Sequence, residues 1–196
     1  MKKRIAVDMD GVIANLHDVW LKIYNSDYND NLRKEDITLW NWHVLCKPEC
    51  GEKLYRYLDN SDLFRNLPVI EGSQEVLKEL SSKYDIFICS APYNINNVIP
   101  KVEWLRKNFP FLNEKNFVFT RNKGILNADF LIDDNPDNFI DFRGEGLLFD
   151  APHNREETKY RRVKNWFEIK EYFSDLNKNI YIKIGNSNVL KPVSLI

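Results

Sequence analysis

Short apolar runs recur along the chain, and each one ends in polar or charged residues. Ile5-Ala6-Val7 stops at Asp8-Met9-Asp10-Gly11. Asp85-Ile86-Phe87-Ile88-Cys89 stops at Ser90-Ala91-Pro92, and Asn116-Phe117-Val118-Phe119 runs into Thr120-Arg121-Asn122-Lys123-Gly124. Ala128-Asp129-Phe130-Leu131-Ile132 stops at Asp133-Asp134-Asn135-Pro136, and Gly146-Leu147-Leu148-Phe149-Asp150 at Ala151-Pro152-His153-Asn154. Runs of this length, β-branched in part, read as strands buried on both faces of a parallel sheet. Between them the apolar spacing is helical. Val76, Leu77 and Leu80 predict a helix over 73–82 capped by Ser73; Val102, Trp104 and Leu105 predict one over 98–108; a last helix covers 166–176. Strands alternating with helices predict right-handed crossovers and a Rossmann-like three-layer α/β fold, with helices on both faces of the sheet.

One segment breaks the alternation. Residues 16–65 carry Trp20, Leu21, Ile23 and Tyr24 at helical spacing, then the polar stretch Asn25 to Asn31 and the aromatic stretch Leu39-Trp40-Asn41-Trp42-His43-Val44-Leu45. Leu54, Tyr57 and Leu58 suggest another helix, Asp62-Leu63-Phe64-Arg65 follows, and no strand pattern is present. This predicts a small helical insertion directly after the first strand. The core is then residues 1–15 and 66–178, with Pro68 and Gly72 marking the return. Several aromatics must form the insertion's own core, yet a piece hinged on loops beside an acidic strand end can also cover a ligand. The tail, 179–196, alternates as Ile180-Tyr181-Ile182-Lys183-Ile184, Gly185-Asn186 and Val189-Leu190, which reads as a hairpin. Such a hairpin extends the sheet edge or meets a second copy of the chain in a homodimer.

Composition narrows the classes. A chain of 196 residues with 43% hydrophobic and 29% charged residues is an ordinary soluble domain with an insertion. A net charge of -1 gives no general attraction to nucleic acid or to an anionic membrane. The basic start, Met1-Lys2-Lys3-Arg4, is followed by only three apolar residues, so a signal-peptide core is not expected, and no apolar run is long enough for a bilayer. The three cysteines, Cys46, Cys50 and Cys89, argue against a disulfide framework and for a reducing, cytoplasmic setting. Cys46 and Cys50 lack a second pair of soft ligands nearby, because the histidines are only His17, His43 and His153. The basic run Lys159-Tyr160-Arg161-Arg162-Val163-Lys164 reads as a solvated face beside Glu156 and Glu157.

The chemistry lies at the strand ends. A parallel sheet brings these ends to one edge, where open α/β sheets bind ligands. Four of them carry Asp8 and Asp10, Ser90, Arg121 and Lys123, and Asp133 and Asp134. Asp8 and Asp10 are two apart and can face the same crevice, where their repulsion calls for a cation or a shared proton. Gly11 allows a sharp turn straight after them. Carboxylates without a His or Cys cluster specify a hard cation, which favours Mg²⁺. With that ion and Lys123 offsetting charge, Asp8 can attack a phosphate to give an aspartyl phosphate, and Asp10 can serve as acid and then base. The Ser90 hydroxyl and nearby backbone N–H groups, that of Ala91 among them, can hold a phosphate oxygen. Each residue also has a plain reading as a turn, a solvated lysine or a loop cap. Arg121 either contacts the phosphate or pairs with Asp137, and His153 either lines the site or caps its loop.

This set resembles the haloacid dehalogenase-like (HAD) phosphohydrolase superfamily over about residues 4–150. Asp8-Met9-Asp10-Gly11-Val12 matches its first motif, Ser90 the second, Lys123 the third and Asp133-Asp134 the fourth. A closer likeness is to the 5′(3′)-deoxyribonucleotidases, carried by Val7–Val12, Ile88–Pro92, Phe119–Lys123 and Ala128–Asp137. The resemblance implies a HAD-like core with a type-1 helical cap in the insertion, Mg²⁺ as cofactor and a deoxynucleoside monophosphate as substrate. It implies Asp8 as nucleophile and Asp10 as acid/base with its backbone carbonyl on the metal. One of Asp133 and Asp134 is then the third protein ligand, with Asp134 favoured. Cap aromatics stack the base in that family; Trp40, Trp42 and Phe64 are the candidates here, and Leu16 stands about where the family places an aromatic. Two other readings remain: the same chemistry on another small phosphorylated metabolite, and a phosphate-binding regulatory module without turnover. The presence of Asp10 speaks against the second, since binding alone needs no acid/base.

Overall fold

The structure is a computed structural model and describes residues 2–187. Six strands form one sheet: β1 (Arg4–Val7), β2 (Asp85–Ser90), β3 (Phe117–Phe119), β4 (Phe130–Asp133), β5 (Glu145–Phe149) and β6 (Arg161–Val163). Their spatial order is β3-β2-β1-β4-β5-β6, and every neighbouring pair is parallel. The chain steps outward from β1 through β2 to β3, then returns to the other side of β1 for β4. That reversal opens a crevice at the carboxyl ends of β1 and β4. The sixth strand corrects the reading of residues 159–164 as a mere solvated face. Arg161-Arg162-Val163 pairs with Leu147-Leu148-Phe149, and only Val163 of the three is buried. A three-residue edge strand with two arginines carries no apolar run to betray it, and charge on an edge discourages pairing with another chain.

Among the described residues, five α-helices accompany the sheet: α1 (Leu16–Tyr28), α2 (Ser61–Arg65), α3 (Ser73–Ser81), α4 (Val98–Asn108) and α5 (Trp166–Ser187). On one face, Ile5, Val7, Ile132 and Phe149 share a core with Val76 and Leu77 of α3 and with Trp166 and Phe173 of α5. The other face is covered more thinly. Ala6, Leu131 and Leu148 pack under Phe139 and Phe142, which come from the short connection between β4 and β5. That connection holds a 3-10 turn, Pro136–Phe139, capped by Asn135. The N-cap of α3 lies one residue earlier than expected. Gly72 is the N-cap at φ +78°, and the Ser73 hydroxyl donates to the Ile70 carbonyl at 2.6 Å.

The expected tail hairpin does not form over the described residues. α5 runs through Ile180–Ile184 to Ser187. Asn177-Lys178-Asn179 contains neither Gly nor Pro, and an existing helix extends without a new nucleus. Residues 188–196, including Val189 and Leu190, lie outside the described residues.

Between β1 and β2, residues 16–65 form α1, three 3-10 segments (Lys34–Asp36, Trp42–Leu45 and Gly51–Asp59) and α2. Trp20, Tyr24, Trp42 and Leu54 build the centre of this unit. Trp20 meets Trp42 edge to face at 5.0 Å, and its indole N–H donates to the Leu54 carbonyl at 3.1 Å. The two connections to the core are tied to each other: Asn15 N–H donates to the Pro68 carbonyl and Ile70 N–H to the Ile13 carbonyl, each at 2.9 Å. The unit therefore leaves and re-enters the core at one place, beside the β1 end. Among the described residues, no helix is long and apolar enough to cross a membrane.

Candidate active site

Asp8 follows β1 directly, and its N–H donates to the Ile132 carbonyl at 2.9 Å, which carries the β1–β4 pairing one residue further. Met9 turns into the core, so Asp8 and Asp10 both face the crevice. Gly11 then reverses the chain at φ +80°. A side chain there is excluded twice over: its Cβ would collide with Asp134 Oδ2 and lie 2.9 Å from His17 Cε1.

Lys123 comes from a 3-10 turn after β3, capped by Asn122. Its buried ammonium pairs with Asp8 and, at 2.5 Å, with Asp133 Oδ2. Asp133 is fully engaged, because it also accepts from Asn135 N–H at 2.9 Å and from the Asn138 amide at 3.0 Å. Asp134 differs. Its backbone carbonyl accepts from the Asn154 amide at 2.7 Å, while its buried Oδ2 has no hydrogen-bond partner among the described residues. Spacing left open which of the pair faces a metal; the free oxygen is on Asp134.

Ser90 closes β2, and its hydroxyl oxygen accepts from Lys101 Nζ at 2.9 Å. Lys101 was not anticipated from the sequence. It lies on α4 with no exposed surface, pairs with Asp10, and its ammonium is 4.9 Å from the centroid of the Phe64 ring. The signal existed: Lys101 precedes Trp104 and Leu105 by three and four residues, which puts it on the apolar face of that helix.

Four carboxylates, Asp8, Asp10, Asp133 and Asp134, thus meet two ammonium groups, Lys101 and Lys123. With all four carboxylates ionised, two negative charges are left uncompensated. Burial pushes the Asp8 carboxyl up to about 7; Lys123 opposes the rise, and Asp133 and Asp10 add to it. Burial, then Asp8 and Asp133, likewise raise Asp134. Burial works against the Lys123 charge, but Asp8 and Asp133 outweigh it and hold the ammonium above its usual range. Oxygens of Asp8, Asp133 and Asp134 all lie within 4.8 Å of one another. Besides Asp134 Oδ2, Asp10 Oδ1 is also buried without a partner. An all-oxygen set, the orphan Asp134 oxygen and a crowd of carboxylates that outnumbers the ammonium groups fit a hard divalent cation.

A cavity of about 470 Å³ opens over this cluster, walled by both the core and the 16–65 unit. Ala91, Arg121, Leu16, Trp40, Trp42 and Phe64 all line it together with the four aspartates and Lys123, whereas Ser90 is fully buried and does not reach its wall. Their settings differ. Trp42 is buried against Trp20 and Tyr24, whereas Trp40 is 59% exposed with its ring edge-on to His153 at 5.0 Å. Of the two readings of Arg121, the pairing with Asp137 does not occur among the described residues; its guanidinium donates to the Tyr93 carbonyl at 2.9 Å, and the residue lines the cavity. Tyr55 and Tyr93, stacked at 6.3 Å, also line the cavity and were not foreseen. His153 does line it, on a buried turn where burial brings its imidazole down to about 4.

Comparison with known proteins identifies relatives of the chain. The family model "5' nucleotidase, deoxy (Pyrimidine), cytosolic type C protein" matches residues 2–178. A 5'(3')-deoxyribonucleotidase of Bacillus subtilis (strain 168) is 44% identical over 171 residues, covering 87% of this chain and 98% of that protein. One from Clostridium acetobutylicum is 39% identical over 170 residues, 86% of this chain and 93% of that protein. Among solved structures, a haloacid dehalogenase-like family hydrolase from Streptococcus pneumoniae aligns with TM-score 0.57 at 12% identity, over 88% of this chain and 98% of that one. The putative HAD-hydrolase YfnB from Bacillus subtilis, solved bound to magnesium, aligns with TM-score 0.55 at 12% identity over 88% of this chain and 99% of that one. At such identity these two bear on the fold alone. With the family model spanning most of the chain and these relatives matching it nearly end to end, the chain belongs to the 5'(3')-deoxyribonucleotidase family.

Proposed function

We propose that this hydrolase is a Mg²⁺-dependent phosphatase that removes the phosphate of deoxynucleoside monophosphates through an aspartyl phosphate on Asp8. The observation that supports this most is the meeting of Asp8, Asp10, Lys123 and Asp134 at one cavity, with Lys123 pairing Asp8 and buried Lys101 joining Asp10 to Ser90. Asp8, Asp10 and Asp134 would hold the metal; when bound, it supplies positive charge against the crowded carboxylates and the incoming phosphate.

Each residue has a defined task. Lys123 holds the Asp8 carboxylate in place and counters the charge on the phosphoryl oxygens. Asp8 attacks phosphorus, the ester P–O bond breaks, and Asp10 gives its proton to the departing alkoxide. Water then attacks the same phosphorus, yields a proton to Asp10, and inorganic phosphate leaves with Asp8 restored. Lys101 fixes Asp10 through Oδ2 and leaves Oδ1 free for these transfers. The Ser90 oxygen already accepts from Lys101, so its own proton is available to a phosphate oxygen. Asp133, saturated by Lys123, Asn135 and Asn138, positions Lys123.

Residues 16–65 act as the cap that sets the substrate. A cavity of about 470 Å³ has the size that small-molecule sites usually have. Its aromatic wall suits a nucleobase, with exposed Trp40 the face most open to stacking. The three cysteines are free, in keeping with a reducing compartment. The test is phosphate release from deoxy- and ribonucleoside monophosphates and sugar phosphates, with Mg²⁺ or with EDTA. Deoxynucleotides should be hydrolysed fastest and EDTA should stop the reaction; faster turnover of sugar phosphates would remove the nucleotide assignment.

A further inference from the structure

Two imidazoles crowd the acidic edge, and the proposed reaction uses neither. His17 lies in the first turn of α1, and His153 lies in the 3-10 turn Pro152–Asn154 after β5. Both approach Asp134 Oδ2: His153 Nε2 is 3.5 Å away and His17 Nδ1 is 3.9 Å away. The rings stand edge to face at 5.3 Å, and one donor atom from each of the three residues lies within 4.8 Å of the other two. Neither nitrogen hydrogen-bonds the oxygen, which is buried and has no partner among the described residues. These separations are long for hydrogen bonds but suit neighbours on one ion. Donors held ~2.0–2.1 Å from a tetrahedral centre lie roughly 3.4 Å apart.

We infer that His17, Asp134 and His153 form a second divalent-metal site, one for a transition-metal ion such as Zn²⁺, Co²⁺ or Ni²⁺. Two imidazole nitrogens and one carboxylate oxygen suit those ions and serve Mg²⁺ poorly. The site is also built to receive one. Gly11 leaves the space that a Cβ would take from Asp134 Oδ2 and His17. His153 Nε2 is 3.2 Å from the Asp134 carbonyl, and that carbonyl keeps its bond from Asn154 at 2.7 Å if the imidazole turns to a metal. His17, Asp134 and His153 all line the cavity, as does Trp40. Asp134 belongs to both sets of ligands. An ion on the imidazoles therefore takes a carboxylate from the Mg²⁺ site, and Zn²⁺ inhibits by competition. That consequence rests on the function proposed above; the site itself does not.

The test uses the whole metal-free protein, Co²⁺ as probe and no nucleotide. Titration should give the intense visible absorption of four- or five-coordinate Co²⁺, one ion per chain, displaced by Zn²⁺ and not by equal Mg²⁺. His17→Gln and His153→Gln should each weaken Co²⁺ binding at least about tenfold. Mg²⁺ affinity, read by calorimetry, should stay unchanged in both, which also reports that the variants are folded. Only the weak absorption of six-coordinate Co²⁺, or equal Co²⁺ affinity in wild type and the double variant, would overturn the site. Neither readout involves turnover, so a failed nucleotidase assignment and a failed metal site are separately visible.

Discussion

Replacing the proposed nucleophile should abolish activity and at the same time stabilise the metal-free protein. Asp8 is 7% exposed in a cluster that already carries excess negative charge. Burial raises its carboxyl from 3.8 to about 7. Between these values the native state holds a proton that the unfolded chain releases, so stability falls as pH rises from about 4 to 7. Above pH 7 the ionised carboxylate costs the fold up to about 4 kcal/mol. Asp8→Asn removes that charge, although an amide facing Lys123 accepts hydrogen bonds less well and returns about half of the gain. The net expectation is about 2 kcal/mol, or roughly 4–8 °C in Tm for a chain of this size. The assay is thermal unfolding of wild type and Asp8→Asn in EDTA at pH 8 and at pH 4.5. The variant should melt higher at pH 8, and its advantage should shrink at pH 4.5. Excess Mg²⁺ should raise wild-type Tm more than that of the variant. A variant that melts below wild type at pH 8 in EDTA would refute the charge-excess reasoning.

The other substitutions separate roles that lie side by side. Lys101→Met strands Asp10 beside the other carboxylates; kcat should fall about 10²–10⁴-fold with little change in KM, measured by steady-state phosphate release. Asp134→Asn should raise the Mg²⁺ concentration needed for half-maximal rate, whereas Asp133→Asn should mainly lower Tm, by about 3 kcal/mol of lost stability, because it strips a buried partner from Lys123. Trp40→Ala should raise KM for a nucleotide far more than for a small phosphate ester. Trp42→Ala should instead destabilise the 16–65 unit by about 3–5 kcal/mol, seen as a lower denaturation midpoint.

Much of this arrangement is legible in the sequence because parallel strands advertise themselves as apolar runs with chemistry at the end. Asp8, Ser90, Lys123 and Asp134 each follow such a run, and topology alone gathers their ends at one edge. The unforeseen features share a physical cause: they depend on contacts that periodicity does not encode. Lys101 looks like any helix lysine until its face is known to pack on Asp10 and Ser90. Asp133 and Asp134 are adjacent, and only Asn135, Asn138 and Lys123 decide that the first is saturated and the second free. Trp40 and Trp42 are two residues apart on one turn; Trp20 and Tyr24 take the second into the interior. β6 escapes notice because an edge strand can be short and charged, and α5 overruns the expected hairpin because alternation of Ile and Tyr after a helix does not by itself stop it.

The central claim is that Asp8 carries the phosphoryl group between ester and water. It is tested most directly by quenching the enzyme in acid during turnover with Mg²⁺, reducing with borohydride and mapping the peptide by mass spectrometry. An acyl phosphate on Asp8 is reduced to homoserine, so the account predicts homoserine at position 8 in wild type and none when substrate is withheld. Rapid phosphate release with position 8 unmodified, or with the label on another residue, would contradict it.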